Sequence, residues 1–141
     1  MEQAFSWPVR VYWEDTDAGG IVFYANYLKF FERARTEWLR ACGVQQQALR
    51  DQTGGLFVVS DVELKYHRPA RLDDELLVTA RITQWGRTSF TMAQEALLMS
   101  KPSPAQAGHL LCAGLVRVGW VDALTLKPAR MPASVLEALK A

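Results

Sequence analysis

The spacing of apolar positions changes along this chain, and each change marks an element. Near the start, Val9 and Val11 alternate with Arg10 and Tyr12, the period of two expected of a short strand over Trp7 to Glu14. The run Asp15-Thr16-Asp17-Ala18-Gly19-Gly20 follows. Two aspartates, a threonine and two glycines suit neither a strand interior nor a helix, so a tight loop is predicted there. Its glycines permit positive φ or the close approach of a ligand. From Asn26 to Cys42 the period becomes helical. Tyr27, Phe30, Phe31, Ala34, Trp38, Ala41 and Cys42 share one face at about 100° per residue, and Leu28 and Leu39 widen it. Asn26 is the predicted N-cap and Gly43 the stop. Glu32 and Arg35 form an i,i+3 pair, with Arg35 inside the apolar arc, where a snorkelling or ion-paired structural role is expected.

Beyond Gly54-Gly55 the period of two returns. Val58, Ser60, Val62, Leu64 and Tyr66 alternate with Val59, Asp61, Glu63, Lys65 and His67. Pro69 and Asp73-Asp74 interrupt, and Leu76, Val78, Ala80 and Ile82 then mark a second strand. Trp85-Gly86-Arg87 reads as a turn. Phe90, Met92, Ala96 and Leu98 mark a third strand, and Leu110, Cys112, Val116, Val118 and Trp120 a fourth. Lys101 to Gly108, with two prolines and a glycine, is the connection between the last two. A short helix is expected after Pro132. Long strands joined by short turns predict an antiparallel meander. The expected architecture is therefore α+β, with one long helix on one face of a sheet of about five strands. The second face and the edges call for a cover, most simply another copy of the chain.

Composition narrows the function. A chain of 141 residues is one domain by size, taken as residues 1–141. Sixteen basic and 15 acidic side chains leave a net charge of +1, which argues against a nucleic-acid module built on a strong positive field. It does not oppose a small anionic ligand held by a few local cations. Cys42 and Cys112 both lie in apolar runs without paired spacing, so buried reduced thiols are expected rather than a disulfide framework or a Cys-based zinc site. No signal peptide is read at the N-terminus, and no apolar run approaches the length of a membrane span. These features point to a cytoplasmic location.

Chemistry is sparse. His67 and His109 fall on strands, away from any nucleophile motif, and the P-loop, dinucleotide-binding, nucleophile-elbow and zinc-protease signatures are missing. The acidic loop is the best local signal. Asp15 and Asp17 follow a strand and precede a helix start. That start offers free backbone N–H groups and the positive end of the macrodipole. A carboxylate on one side of an electrophilic carbon and oxyanion donors on the other would suit attack on an activated carbonyl. Spacing alone leaves both a turn-forming role and a catalytic role open.

The whole run from Val11 to Leu39, VYWEDTDAGGIVFYANYLKFFERARTEWL, closely resembles the signature of hotdog-fold acyl-CoA thioesterases. Within them it looks like the YbgC type, encoded with the Tol–Pal envelope system and related to 4-hydroxybenzoyl-CoA thioesterase. Tyr66-His-Arg-Pro-Ala-Arg-Leu-Asp-Asp-Glu75, Trp85-Gly-Arg-Thr-Ser89 and Leu126-Lys-Pro-Ala-Arg-Met-Pro132 extend the likeness over nearly the whole chain. The resemblance implies a long central helix wrapped by a curved antiparallel sheet, and hydrolysis of acyl-CoA to free acid and CoA. It implies Asp17 as the catalytic carboxylate, acting as nucleophile or general base, and the backbone N–H of Tyr24 as the oxyanion donor. Asn26 would cap the helix and shape the loop, with Asp15 a structural partner.

One departure stands out: many YbgC-type members have His where this chain has Tyr24. The 4-hydroxybenzoyl-CoA enzyme resembles this chain in carrying Tyr there. A backbone role does not depend on that side chain, and aromatic acyl groups stay open beside aliphatic ones. Arg87, Thr88 and Ser89 match a segment that contacts the CoA arm, across a subunit boundary in some members, with Arg68 and Arg71 as further cations. Phe23, Tyr27 and Phe57 are the candidate acyl contacts. No metal and no cofactor are implied; the implied partners are acyl-CoA, acyl carrier protein as a second donor, and further copies in a homodimer or homotetramer. Two rival readings are a hotdog hydroxyacyl dehydratase, which would want a catalytic His in the loop, and a non-catalytic acyl-ligand or carrier-protein binding module.

Overall fold

In a computed structural model, described over residues 4–99 and 107–141, the chain forms one five-stranded antiparallel sheet and three α-helices. The strands are β1 (Phe5–Arg10), β2 (Gly55–Tyr66), β3 (Glu75–Trp85), β4 (Ser89–Met99) and β5 (Ala107–Asp122). The helices are α1 (Tyr27–Ala41), α2 (Gln46–Thr53) and α3 (Ala133–Lys140). The expected long helix is therefore present, bounded by Asn26 and Cys42. The Lys101–Gly108 connection lies outside the described residues up to Gln106, and its last two residues open β5.

The meander holds for β3, β4 and β5 only. The spatial order is β1-β3-β4-β5-β2, so β2 pairs with β5 at the far edge, and the chain crosses over to begin β3. Alternation gives the period of a strand but not its neighbour, which explains the difference. The first strand is also shorter than expected. Val9 and Val11 are both buried, but after Arg10 the backbone turns, and Trp13–Asp15 is a 3-10 turn. The Asp15 carboxylate drives this by accepting the Tyr12 N–H at 2.8 Å.

Helix α1 buries Tyr27, Phe30, Phe31, Ala34 and Leu39 against the sheet. Phe30, Phe31 and Ala34 meet Leu76, Val78, Ala96 and Cys112 in one core cluster. Each fully buried Phe contributes about 2–3 kcal/mol of apolar burial. Gly114 on β5 makes this contact possible. A Cβ there would lie 2.7 Å from Leu64 and 2.9 Å from Phe31. At its edges the predicted apolar face is too broad, since Leu28 and Ala41 are exposed and Cys42 is half-buried. A second cluster holds α3 in place, with Val135 and Leu139 against Phe90, Val118 and Trp120. Helix α2 has no apolar stripe and buries no residue fully, so its sequence carries little periodic signal. Gly54, at φ +71°, ends it.

Arg35 enters the core face neither as a surface snorkel nor as an ion pair. Its guanidinium donates to the Gln94 carbonyl oxygen at 2.9 Å. Gln94, only 1% exposed, donates in turn to the backbone carbonyls of Phe31 (3.0 Å) and Thr79 (3.2 Å). The β3–β4 ladder is interrupted there, and the Thr79 hydroxyl accepts the Glu95 N–H at 3.0 Å instead. Burial lowers the Arg35 pKa, offset in part by the nearby Glu32 carboxylate.

Candidate active site

The acidic loop is a small hairpin. Thr16 bridges Val22, the Asp17 N–H donates to the Ile21 carbonyl at 2.9 Å, and the Phe23 N–H donates to the Asp15 carbonyl at 3.0 Å. The Gly20 N–H closes the tip onto the Asp17 carbonyl at 3.0 Å, with Gly20 at φ +76°. The hairpin is tied down by the segment after β2, through the Ile21–Arg71 bridge and the Val22 N–H on the Ala70 carbonyl at 2.8 Å.

Asp15 and Asp17 have opposite surroundings. Asp15 is 3% exposed, and its carboxylate and carbonyl both hold backbone in place. Asp17 is exposed at the tip, where one carboxylate oxygen accepts the Gly19 N–H at 2.8 Å. The other oxygen has no partner among the described residues. It is free to meet a water or a carbonyl carbon.

The hairpin runs straight into a 3-10 turn, Tyr24–Asn26, that leads into α1. Because the two are continuous, Asn26 has helical φ and ψ (−70°, −18°) and its side chain makes no cap. A side-chain N-cap requires extended backbone, which corrects that part of the expectation. Asn26 shapes the loop instead, its amide donating to the Asp15 carbonyl at 2.8 Å. The N–H groups of Tyr24 and Ala25, in the first turn, donate to no acceptor among the described residues. The positive end of α1 reinforces them.

Tyr24 is 64% exposed and Phe23 is exposed beside it, their ring centroids 4.7 Å apart. Tyr27 is a core residue whose hydroxyl accepts the Ala70 N–H at 3.2 Å. Sequence reasoning passed over Tyr66. At the end of β2, its hydroxyl donates to the Tyr24 carbonyl at 2.9 Å. Burial, then Cys112 and Tyr24, raise its pKa, so it stays a donor well above neutral pH. Its place at the end of an alternating strand was readable, but its partner across 42 residues was not.

The remaining candidates lie at the other end of the sheet. Arg87 and Thr88 lie in the β3–β4 turn and Ser89 opens β4, with the Gly86 N–H closing the turn on the Ser89 carbonyl at 2.7 Å. Arg87 is exposed there. Phe57 packs on Trp120 at 4.9 Å and on Phe90 at 5.8 Å, and the Trp120 N–H donates to the Thr88 carbonyl at 2.8 Å. Phe57 also lines a groove of about 200 Å³ with Arg35, Trp38, Val59 and Met92. The hairpin follows Arg10, which pairs with Glu75 at the start of β3, whereas Arg87 follows its end at Trp85. At about 3.3 Å per residue, β3 separates the two groups by roughly 30 Å. Arg71 is next to the hairpin by its bridge, and Arg68 is exposed nearby in sequence. No cluster of three or more His, Cys, Asp or Glu suited to a metal occurs among the described residues.

Comparison with known proteins bears on the fold and the family. The acyl-CoA thioester hydrolase YbgC of Escherichia coli is 43% identical over 136 residues, covering 96% of each chain. A probable thioesterase from Bartonella henselae superposes with a TM-score of 0.76 at 31% identity, over 93% of this chain and all (100%) of the other. A 4-hydroxybenzoyl-CoA thioesterase variant in complex with its substrate shares the fold, with a TM-score of 0.87 at 19% identity over 98% and 99% of the two chains. The thioesterase-like superfamily matches residues 11–139. With its long helix on a five-stranded sheet and its acidic hairpin at the helix start, the chain belongs to that superfamily and, within it, to the YbgC group.

Proposed function

We propose that the protein hydrolyses acyl-CoA thioesters to free acid and CoA, with Asp17 as the reacting carboxylate and the Tyr24 N–H as oxyanion donor. One observation carries the reading: a single hairpin presents a carboxylate with one oxygen unengaged among the described residues, and it leads directly into a turn whose first N–H groups meet no acceptor among them. The thioester carbonyl lies between them. As the carbon becomes tetrahedral, negative charge grows on its oxygen and is met by the amide and the helix end. Asp17 either attacks the carbon itself, so that the C–S bond breaks, CoA leaves as thiolate and water then opens the resulting anhydride, or takes a proton from an attacking water, whose tetrahedral adduct collapses with loss of the same thiolate. A single turnover in ¹⁸O-labelled water identifies the first route when label appears on Asp17, because only an anhydride opened at the Asp17 carbonyl leaves label on the enzyme.

The separation of the two residue groups bears on assembly. Strand β2 is a sheet edge of 12 residues with Phe57 near one end and Tyr66 at the other. A second copy adding its own β2 antiparallel would bring the Phe57 end of one chain to the Tyr66 end of its partner. Each hairpin would then face the partner's Arg87, Thr88 and Ser89, which suit the phosphates of CoA. A site of this kind is complete only in a dimer or a higher homo-oligomer.

The test is release of free thiol from a panel of aliphatic and aromatic acyl-CoAs and acyl carrier protein thioesters. Asp17→Ala is expected to lower kcat/KM at least about 100-fold with the fold retained, a ΔΔG‡ of roughly 3 kcal/mol. Comparable turnover by the variant would remove Asp17 from its role. An inactive wild type would leave an acyl-ligand binding protein.

A further inference from the structure

The turn that carries the candidate oxyanion donors is gripped at two successive carbonyls. The Phe23 carbonyl accepts the Asn26 N–H at 2.8 Å, and the Tyr24 carbonyl accepts the Tyr66 hydroxyl at 2.9 Å. A carbonyl and the N–H of the next residue share one planar amide. A hydrogen bond to the carbonyl of such a unit polarises it and strengthens its N–H as a donor. The bond on Phe23 therefore sharpens the Tyr24 N–H, and the bond on Tyr24 sharpens the Ala25 N–H. Those are the two N–H groups left without acceptors among the described residues.

We infer that Tyr66 is a positioning residue for the reaction: its hydroxyl fixes the Tyr24–Ala25 peptide plane and makes the Ala25 N–H a second oxyanion donor. The inference rests on the thioesterase reading of the Asp17 hairpin. Tyr66 is well placed for the task because a strand carries it, not a loop. It pairs with Cys112 in the β2–β5 ladder, and its ring meets Tyr27 and Tyr24 edge-on, with centroids 5.7 and 6.2 Å apart. The turn's own backbone bonds among the described residues, from the Asn26 N–H to the Phe23 carbonyl and from the Tyr27 N–H to the Ala25 carbonyl, leave the Tyr24–Ala25 peptide to Tyr66. Without the hydroxyl, the plane bearing the Ala25 N–H is free to rock, and a donor that must reorganise during the reaction stabilises the transition state less.

Tyr66→Phe removes the hydroxyl and keeps both ring contacts. The expected result is a fall in kcat of about tenfold with KM within about twofold of wild type. Two CoA ligands sharpen the readout. Affinity for a trifluoromethyl ketone analogue, whose hydrate mimics the tetrahedral state, should drop by a similar factor, whereas affinity for an unreactive thioether analogue should hold. Amide hydrogen exchange at Ala25, measured without substrate, should quicken in the variant. A purely structural contribution would instead weaken both ligands alike or lower thermal stability, and either outcome overturns the proposal. Unchanged kcat in Tyr66→Phe beside an active wild type sinks the role of Tyr66 alone. A wild type inactive on every thioester sinks the thioesterase reading and this inference with it.

Discussion

Asp17 and Asp15 are two residues apart, of one type, and do different things. Asp15 is buried, and its carboxylate holds a main-chain N–H, while Asp17 at the tip keeps one oxygen free. Gly19 maintains that difference. A Cβ at Gly19 would lie 3.2 Å from the Asp17 carboxylate, closer than ordinary van der Waals contact. Gly19→Val is expected to rotate the carboxylate away and lower kcat/KM by about tenfold, with near-native thermal stability because the site is exposed. Steady-state kinetics with a parallel melting curve checks this. Wild-type kinetics in Gly19→Val would mean that carboxylate orientation does not limit the reaction.

At the scale of elements, α1 and the strand periods were legible because their apolar spacing is strong and their burial follows it. What was not legible has physical causes. Strand order is set by a crossover that alternation does not encode, and α2 lacks an apolar stripe. The Arg35–Gln94 link left a trace, a polar residue at an inward position of β4 between Met92 and Ala96. Gln94→Leu removes a buried amide that joins α1 to the interrupted ladder, and leaves the Arg35 guanidinium without its acceptor. Stability should fall by about 1–3 kcal/mol, read by urea unfolding. A variant as stable as wild type would show that packing alone closes that seam.

The turn after β5 has a pH signature of its own. The Asp122 carboxylate accepts the Leu124 and Thr125 N–H groups, each at 2.9 Å, and these bonds hold its pKa below the usual carboxylate value. A group with a depressed folded pKa stabilises the fold above its unfolded pKa, and that contribution is lost as pH falls through the folded value. Asp122→Asn should therefore melt below wild type near neutral pH, with the gap closing as pH drops below about 4. A gap independent of pH would assign the effect to geometry rather than charge.

At the scale of the whole molecule, the two groups of candidate residues sit at opposite ends of one sheet. No single chain brings Asp17 to Arg87, and the open β2 edge supplies the means for two chains to do so. The proposed shared site makes a quantitative claim. Asp17→Asn and Arg87→Ala should each be impaired alone, but a mixed dimer of the two holds one site with both native groups. After dissociation and reassociation at equal amounts, half the dimers are mixed, so activity should recover to about a quarter of wild type. Recovery no greater than the sum of the separate variants would place both residues in the same chain's site or remove Arg87 from it.

The hairpin also bears on how such a protein can change. Asp15 to Phe23 is held almost wholly by main-chain bonds, and the two N–H groups of the following turn belong to the backbone as well. Asp15, Thr16, Asp17, Gly19, Gly20 and Asn26 are tied to their side-chain identity by that geometry. On the proposed reading, the exposed rings of Phe23 and Tyr24 make no hydrogen bond of that scaffold among the described residues, so mutation there would retune which acyl groups are accepted, at Tyr24 with the loss of its ring contact to Tyr66. Selection for a new substrate would find its raw material at those two positions first.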